Sequence, residues 1–158
     1  MVPGNIPRHS FITWLAILNK LSTHDRIMLY TRGPLACVLC HTAMETHDHL
    51  FFKCSYSSFI WQGFLVTMDL SHPVLSWNSF VNWASKAWKQ KKPQLIIQKM
   101  CLGMAVYSIW KERNARSFKF EAKSKERVFQ EITRQISTQI QIKWRDDPIL
   151  PSLIARWS

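Results

Sequence analysis

The sequence predicts a mostly α-helical protein, and two features of the chain lead to this prediction. Apolar residues recur at intervals of three or four over several stretches of the 158-residue chain, as expected for helices that bury one face. Between these stretches, residues 37–54 hold three of the four cysteines and three of the six histidines. We therefore expect amphipathic helices arranged around one short segment that carries most of the reactive side chains.

Two predicted helices precede this segment. Residues 1–8 are rich in turn-forming residues, and Ser10 is a plausible N-cap for a helix over residues 11–20. The apolar face of that helix is expected to contain Phe11, Trp14, Leu15 and Leu18. Ser22 or Thr23 is suited to cap a second, short helix that leads into the cysteine-rich segment.

The spacing of the cysteines and histidines is typical of a metal site. Cys37-x2-Cys40-x8-His49-x4-Cys54 supplies three thiolates and one imidazole, a complete tetrahedral ligand set for zinc. Four protein ligands leave no position for water, so the pattern favours a structural site over a catalytic one. A redox pair or ordinary core cysteines are the alternatives, but a histidine and a third cysteine at ligand spacing favour metal. We predict bound Zn²⁺ in a small helical domain organised around a CCHC zinc knuckle.

The fourth ligand is open to competition among His41, His47 and His49. His41 directly follows Cys40, which makes joint coordination awkward, and a positive φ is useful at this position, where histidine is enriched. His47 and His49 would point to the same side of an extended segment. We prefer His49 because the apolar run of residues 50–52 follows it and can pack the ligand in place, and His47 is then a solvated loop residue. Around the site we expect Trp14, Phe51 and Trp61 to pack closely.

The second half of the chain reads as helical throughout. After a helix that begins at Ser55, we expect helices over residues 77–90, 94–117 and 124–144, the last starting at Ser124. A stripe at every fourth position of the last helix is expected to face the core: Val128, Ile132, Ile136 and Ile140. Cys101 is read as a core residue.

Two domains are expected. The first covers residues 9–66 and contains the cysteine-rich segment. The second covers residues 76–145 and is a basic segment of two to three helices. The apolar tail to Ser158 receives no assignment.

The chain is strongly basic, with 21 Lys and Arg against ten Asp and Glu and a formal net charge of +11. Such an excess favours polyanionic partners through counterion release, although it also serves solubility. The predicted nucleic-acid contacts are Lys111, Arg113, Arg116, Lys119 and Lys123. The alternative for this patch is a solvated helix end with Glu–Lys pairs. A second cluster, Lys86, Lys89, Lys91 and Lys92, lies near a helix C-terminus, where positive charge complements the helix dipole.

The sequence carries no sign of a membrane or secretory segment. No apolar run approaches the roughly 18 residues of a membrane span, and the N-terminus lacks the pattern of a signal peptide. Cysteine usage fits a reducing compartment with a metal site better than a disulfide scaffold. We therefore expect no membrane partner and an intracellular location, with the nucleus as one candidate compartment.

Several motifs in order along the chain resemble one family. Phe11-Ile-Thr-Trp-Leu-Ala and Leu21-Ser-Thr-His-Asp-Arg precede the two cysteines Cys37 and Cys40, and Glu45-Thr-His-Asp-His-Leu-Phe-Phe, Cys54 and Ile60-Trp61 follow. This order resembles the zinc-binding domain that follows the reverse transcriptase in plant LINE-type (non-LTR) retrotransposons, over about residues 9–65. Ile109-Trp-Lys-Glu-Arg-Asn resembles a segment found downstream in such polyproteins. The resemblance implies that Cys37, Cys40, His49 and Cys54 bind zinc and that the module handles nucleic acid.

The enzymatic motifs of that family are missing from this chain. No Tyr-x-Asp-Asp motif occurs, no set of carboxylates is spaced like a two-metal nuclease, and no His-Glu-x-x-His motif suggests a zinc hydrolase. We therefore expect that this chain is a fragment or standalone remnant of such an element, and that the chain itself is not an enzyme. Two hypotheses remain: a zinc-dependent RNA- or DNA-binding module, and a structural or protein-interaction module in which zinc only stabilises the fold.

Overall fold

The computed structural model describes residues 7–27, 36–70 and 76–157, and this part of the chain is mostly helical. The elements in order are α1 (Pro7–Ile17), α2 (His24–Ile27), a π-helical turn (His49–Lys53), α3 (Ser55–Thr67), α4 (Trp77–Ala87), α5 (Pro93–Phe118), α6 (Lys125–Lys143) and α7 (Leu150–Ile154). The β-type pairing found in the described ranges is a single antiparallel bridge between Ala36 and Met44. The predicted fold class, mostly α with a short knuckle between helices, is confirmed.

The bounds of α1 differ from the prediction at both ends. Pro7 and Ser10 both lie in the helix, so Ser10 is not its N-cap; the rest of the predicted lead-in, residues 1–6, lies outside the described residues. The helix ends at Ile17 because Asn19 adopts a positive φ of 52°. The amide of Lys20 then donates to the carbonyl of Leu15 at 2.8 Å, which is the closing bond of a Schellman motif.

The face that α1 buries is also not the predicted one. His9, Thr13 and Ala16 are buried, whereas Phe11, Trp14, Ile17 and Leu18 are each more than 40% exposed. The buried face packs on α5, where the ring centroids of His9 and Tyr107 are 4.2 Å apart. The prediction that Trp14 packs around the cysteine-rich segment is therefore wrong, since Trp14 is on the outer face of its helix.

The core forms where α1, α3 and α6 pack against the long helix α5. The predicted stripe of α6 is buried at all four positions, and α6 begins as predicted, with the Ser124 hydroxyl accepting a hydrogen bond from the amide of Arg127 at 3.2 Å. Cys101 is fully buried in α5, as expected of a core residue. Gly63 on α3 makes the contact with α6 possible, because a Cβ there would lie 2.5 Å from the Phe129 ring.

The C-terminal tail, which had no predicted structure, docks on the same core. It forms α7, and Leu153 and Trp157 are buried, with the Trp157 ring 6.1 Å from Phe64. The division into domains 9–66 and 76–145 stays a prediction. Buried residues of both regions belong to one hydrophobic cluster, so the two regions share a core.

Candidate metal centre

The Cys37–Cys40 turn is held by backbone hydrogen bonds. The amide of Cys37 donates to the carbonyl of Ala43 at 2.8 Å, next to the bridge between Ala36 and Met44. The amide of His41 donates to the carbonyl of Cys37 at 2.7 Å, which closes the turn. His41 has φ 58°, so the positive φ predicted for the residue after the second cysteine is confirmed.

The second half of the site is built on the π-helical turn. The Thr46 hydroxyl accepts a hydrogen bond from the amide of His49 at 3.1 Å, which fixes the start of the turn. The amide of Cys54 donates to the carbonyl of His49 at 2.7 Å, the i to i+5 bond that defines a π-helix. This single wide turn brings His49 and Cys54 to the same side, and Cys54 then serves as the N-cap residue of α3.

The four side chains predicted as ligands lie together. One donor atom from each of Cys37, Cys40, His49 and Cys54 lies within 4.8 Å of the other three. The Sγ atoms of Cys37 and Cys54 are 3.8 Å apart, and the Sγ of Cys40 is 3.3 Å from Nε2 of His49. Tetrahedral zinc with its usual bond lengths separates two sulfurs by about 3.8 Å and a sulfur from a nitrogen by about 3.5 Å. The donor set and its spacing therefore fit Zn²⁺.

His49, and not His47, joins this group. Residues 47–53 are helical and not extended, so side chains two positions apart point in nearly opposite directions. The His47 ring does not join the cysteines but packs between two aromatic rings, with its centroid 4.9 Å from that of Phe51 and 5.1 Å from that of Trp77. His47 is buried, which corrects the expectation of a solvated loop residue. Burial lowers the pKa of its imidazole to about 4.

The electrostatic environment distinguishes the two fully buried cysteines. The contact with Cys54, followed by burial, raises the pKa of the Cys37 thiol, and the same contact lowers the pKa of Cys54. The amides of Ser57 and Tyr56 at the start of α3 lower the pKa of Cys54 further, as a helix N-terminus does for a thiol. The Thr42 hydroxyl donates to the Sγ of Cys40 at 3.2 Å. The Cys54 thiol is thus easier to deprotonate than the Cys37 thiol.

Aromatic side chains close the inner side of the site. Leu50 and Phe51 are fully buried and Phe52 nearly so, which is the packing role predicted for residues 50–52. Trp61 on α3 is also buried, and its Nε1–H donates to the carbonyl of Phe51. Two of the three aromatic residues predicted around the site are therefore part of its core.

Two arginines of α5 form hydrogen bonds with the cysteine-rich segment. Arg113 is 1% exposed and donates from Nη2 to Oε1 of Glu45 at 2.8 Å. Glu45 also accepts from the amide of His24 at 2.9 Å, so it joins α2, the segment and α5. Arg116 donates from Nη1 to the carbonyl of Leu39 at 3.2 Å, inside the Cys37–Cys40 turn, and from Nη2 to the carbonyl of Lys123 at 2.8 Å. These contacts could not be read from local sequence patterns.

This placement removes Arg113 from the surface on which the nucleic-acid patch is expected, and the patch itself stays a prediction. Arg113 is inside the protein, and Arg116 is partly buried with Glu112 as its ion-pair partner at 2.9 Å. Lys123 pairs with Glu131 at 2.8 Å. Of the five predicted residues, Lys111 and Lys119 are the two that are exposed with no carboxylate bound among the described residues. They line a groove of about 820 Å³ between α5 and α6 together with Glu121 and Glu131, so the groove is not strongly basic.

The comparisons with known proteins agree with the geometry of the site. Residues 2–61 match the family model described as zinc-binding in reverse transcriptase. The match contains all four clustered side chains and covers less than half of the chain. No catalytic domain is matched. No curated protein and no solved structure gave a significant match.

Among the helices of the described ranges, none combines the length and the apolar character needed to cross a bilayer.

Proposed function

We propose that this chain is a non-catalytic zinc-binding module that contacts nucleic acid, either RNA or DNA. Cys37, Cys40, His49 and Cys54 would hold the ion. When bound, Zn²⁺ would supply a cross-link between the knuckle turn and the start of α3. The observation that carries this proposal is the convergence of three sulfurs and one imidazole nitrogen within 4.8 Å, inside a segment that matches a zinc-binding family.

The role of the site is structural in this proposal. The donor set is already complete with three thiolates and one imidazole, which is the composition of closed zinc sites. Two of the four donors, Cys37 and Cys54, are fully buried, and the aromatic core lies directly behind them. A substrate would have to displace a protein ligand to reach the ion.

Nucleic-acid contact is supported by the charge of the molecule. Ten acidic residues cannot balance 21 basic ones, and two of the acids, Glu45 and Glu112, are already paired with a buried and a partly buried arginine. Most of the described lysines and arginines that form no ion pair are exposed, which favours binding to a phosphate backbone without sequence preference.

A retroelement origin, specifically a plant LINE-type retrotransposon, is the finer form of the proposal. It rests on the resemblance of the motifs around the cysteines and of Ile109-Trp-Lys-Glu-Arg-Asn. In the structure that downstream motif supplies Arg113, the partner of Glu45, so both resembling segments meet in one ion pair. A reverse-transcriptase reading frame directly upstream in the genome would support this origin, and an isolated frame with no such neighbour would count against it.

A structural or protein-interaction module is the second candidate. The outer face of α1 supports it, because Phe11, Trp14, Ile17 and Leu18 form an exposed apolar strip. Such strips are more typical of contacts with protein than with phosphate.

Two measurements test the proposal and separate the candidates. Metal analysis of the purified protein should find about one zinc per chain, and a metal-free folded protein would contradict the zinc site. The affinity for a fluorescent 20-nucleotide RNA and a 20-base-pair DNA should then be measured from 50 to 300 mM salt. We expect binding that weakens steeply with salt. No binding, or binding that is insensitive to salt, would favour the protein-interaction module.

A further inference from the structure

The corner between α4 and α5 carries a cluster of lysines with no acidic neighbour. Lys86, Lys89, Lys91 and Lys92 fall within seven positions, and all four are exposed. No ion pair joins any of them to a carboxylate among the described residues. This α4–α5 corner is therefore a surface of uncompensated positive charge.

The sequence around the corner explains the absence of compensation. No Asp or Glu occurs between Asp69 and Glu112, an interval that contains six lysines. Elsewhere part of the positive charge is compensated, since Arg113, Arg116 and Lys123 each have a carboxylate within 3 Å. Among the described residues of the second half, exposed lysines without an ion pair are therefore closer together at the corner than near the end of α5, where Lys111 and Lys119 are also unpaired.

Helix stability accounts for only part of this cluster. Only Lys86 lies in the last turn of α4, where a positive charge is favourable. Lys89, Lys91 and Lys92 follow the end of that helix at Ala87 and precede Pro93 at the start of α5. Lys92 is the N-cap residue of α5 and makes no side-chain capping bond, and a positive charge at this end opposes the helix dipole. The helix dipoles therefore give no reason for a positive charge at Lys91 or Lys92, which leaves these two side chains free to contact an anionic ligand.

The surroundings of the corner fit a phosphate backbone better than a membrane. Trp83 and Trp88 are half-buried and pack against each other with ring centroids 5.9 Å apart, so they support the corner and do not project from it. Among residues 76–100, none of the large hydrophobic side chains is exposed. Stable membrane-surface binding usually combines basic residues with an apolar face that inserts between lipids. The corner offers charge alone.

We propose that the α4–α5 corner is the main phosphate-contacting surface of the protein, and that it binds the backbone of RNA or DNA without reading bases. This inference rests on the proposed nucleic-acid function and assigns it a place. Lysine ammonium groups act as mobile point charges, which suits a sequence-independent contact. Each neutralised phosphate contributes about 0.7 to 0.9 to the slope of log affinity against log salt.

The experiment compares two triple variants with equal change in charge. The corner variant is Lys89→Gln/Lys91→Gln/Lys92→Gln. The control is Lys20→Gln/Arg134→Gln/Arg145→Gln, three exposed cations away from the corner in sequence with no ion-pair partner among the described residues. Zinc content and circular dichroism should be unchanged in both. The probes are a fluorescent 20-nucleotide oligouridine and a mixed-sequence 20-base-pair DNA duplex, each titrated from 50 to 300 mM salt.

We expect the corner variant to lose about two units of salt slope and about tenfold or more in affinity near 150 mM salt, with little change in the control. Equal weakening of the two variants would overturn the assignment and leave the proposed function standing, as would unchanged binding by the corner variant. Failure of the unmodified protein to bind either probe would overturn both. A third probe, vesicles of phosphatidylserine and phosphatidylcholine, decides the class of partner: tighter binding to vesicles than to nucleic acid, lost in the corner variant, would overturn the nucleic-acid assignment.

Discussion

Arg113 and Glu45 form a buried ion pair between residues 68 positions apart in the sequence. Nη2 of Arg113 lies 2.8 Å from Oε1 of Glu45, and its Nε lies 3.2 Å from Oε2, so the guanidinium binds the carboxylate at two points. Both side chains are almost fully buried. Through this pair the cysteine-rich segment is tied to the longest helix of the protein, far outside the residues that match the zinc-binding family.

Breaking this pair should destabilise the protein strongly. Arg113→Met leaves the Glu45 carboxylate buried without its partner, and such changes cost about 3 to 5 kcal/mol. We expect a loss of this size in urea unfolding with excess zinc. Arg127→Met is the matched control, because its pair with Glu131 is exposed and should contribute less than about 1 kcal/mol. Similar losses in the two variants would mean that the buried pair has no special role.

Removal of one cysteine ligand should abolish zinc binding. Cys54→Ser should lose stoichiometric zinc and unfold the first half, since structural zinc contributes on the order of 10 kcal/mol of apparent folding free energy in small fingers. Cys101→Ala is the control: this cysteine is equally buried but lies in α5, away from the cluster. The Cys101→Ala variant should keep stoichiometric zinc, and its free energy of unfolding should fall by about 1 kcal/mol. Full zinc occupancy in Cys54→Ser would contradict the site.

The two histidines of the segment should respond in different ways. His49→Ala should lose zinc, because Nε2 of His49 lies among the sulfur atoms. His47→Ala should retain zinc but lose about 2 to 4 kcal/mol of stability, because the imidazole fills a buried space between Phe51 and Trp77. Zinc analysis together with thermal unfolding separates these effects. Zinc retained by His49→Ala and lost by His47→Ala would reverse our assignment of the fourth ligand.

A buried histidine in α1 should make the fold sensitive to acid. Burial, and then the charge of Lys111, lowers the pKa of His9 below its ordinary value of 6.5. The unfolded chain therefore binds the proton more readily, and the free energy of unfolding should fall as the pH drops below about 6.5. His9→Gln removes this contribution and should give a flatter stability curve between pH 7 and 5.5.

Since acid also releases zinc, the informative quantity for His9 is the difference between the two curves at equal zinc content. A constant difference across this pH range would show that His9 does not titrate with unfolding.

The elements that sequence reasoning found are those decided by local patterns. The α6 stripe was visible because four isoleucine or valine side chains at one spacing leave a single choice of buried face. In α1 two faces compete, and the one with His9, Thr13 and Ala16 is buried because Tyr107 of α5 packs against it, which no local pattern reveals.

The metal site shows the same division between local and distant information. Its cysteines and the positive φ of His41 follow from spacing and residue type. The choice between His47 and His49 depends on whether the segment is extended or helical, and the helical segment with its π-helical turn places His49, not His47, beside the cysteines. The sequence alone predicts surface cations at Arg113 and Arg116, because their partners, Glu45 and the Leu39 carbonyl, lie more than 60 positions away in sequence.

The contacts among the four candidate zinc ligands and the Arg113–Glu45 pair differ in sequence separation, and this difference has a consequence for the order of folding. Cys37 and Cys54 close a loop of 17 positions, whereas the ion pair closes one of 68. The longer closure costs about 1.2 kcal/mol more in chain entropy, so we expect the knuckle to form first and α5 to dock later. In stopped-flow kinetics, chelating zinc should then slow refolding, whereas Arg113→Met should chiefly accelerate unfolding. Slower refolding of Arg113→Met would instead show that α5 has already docked in the transition state of folding.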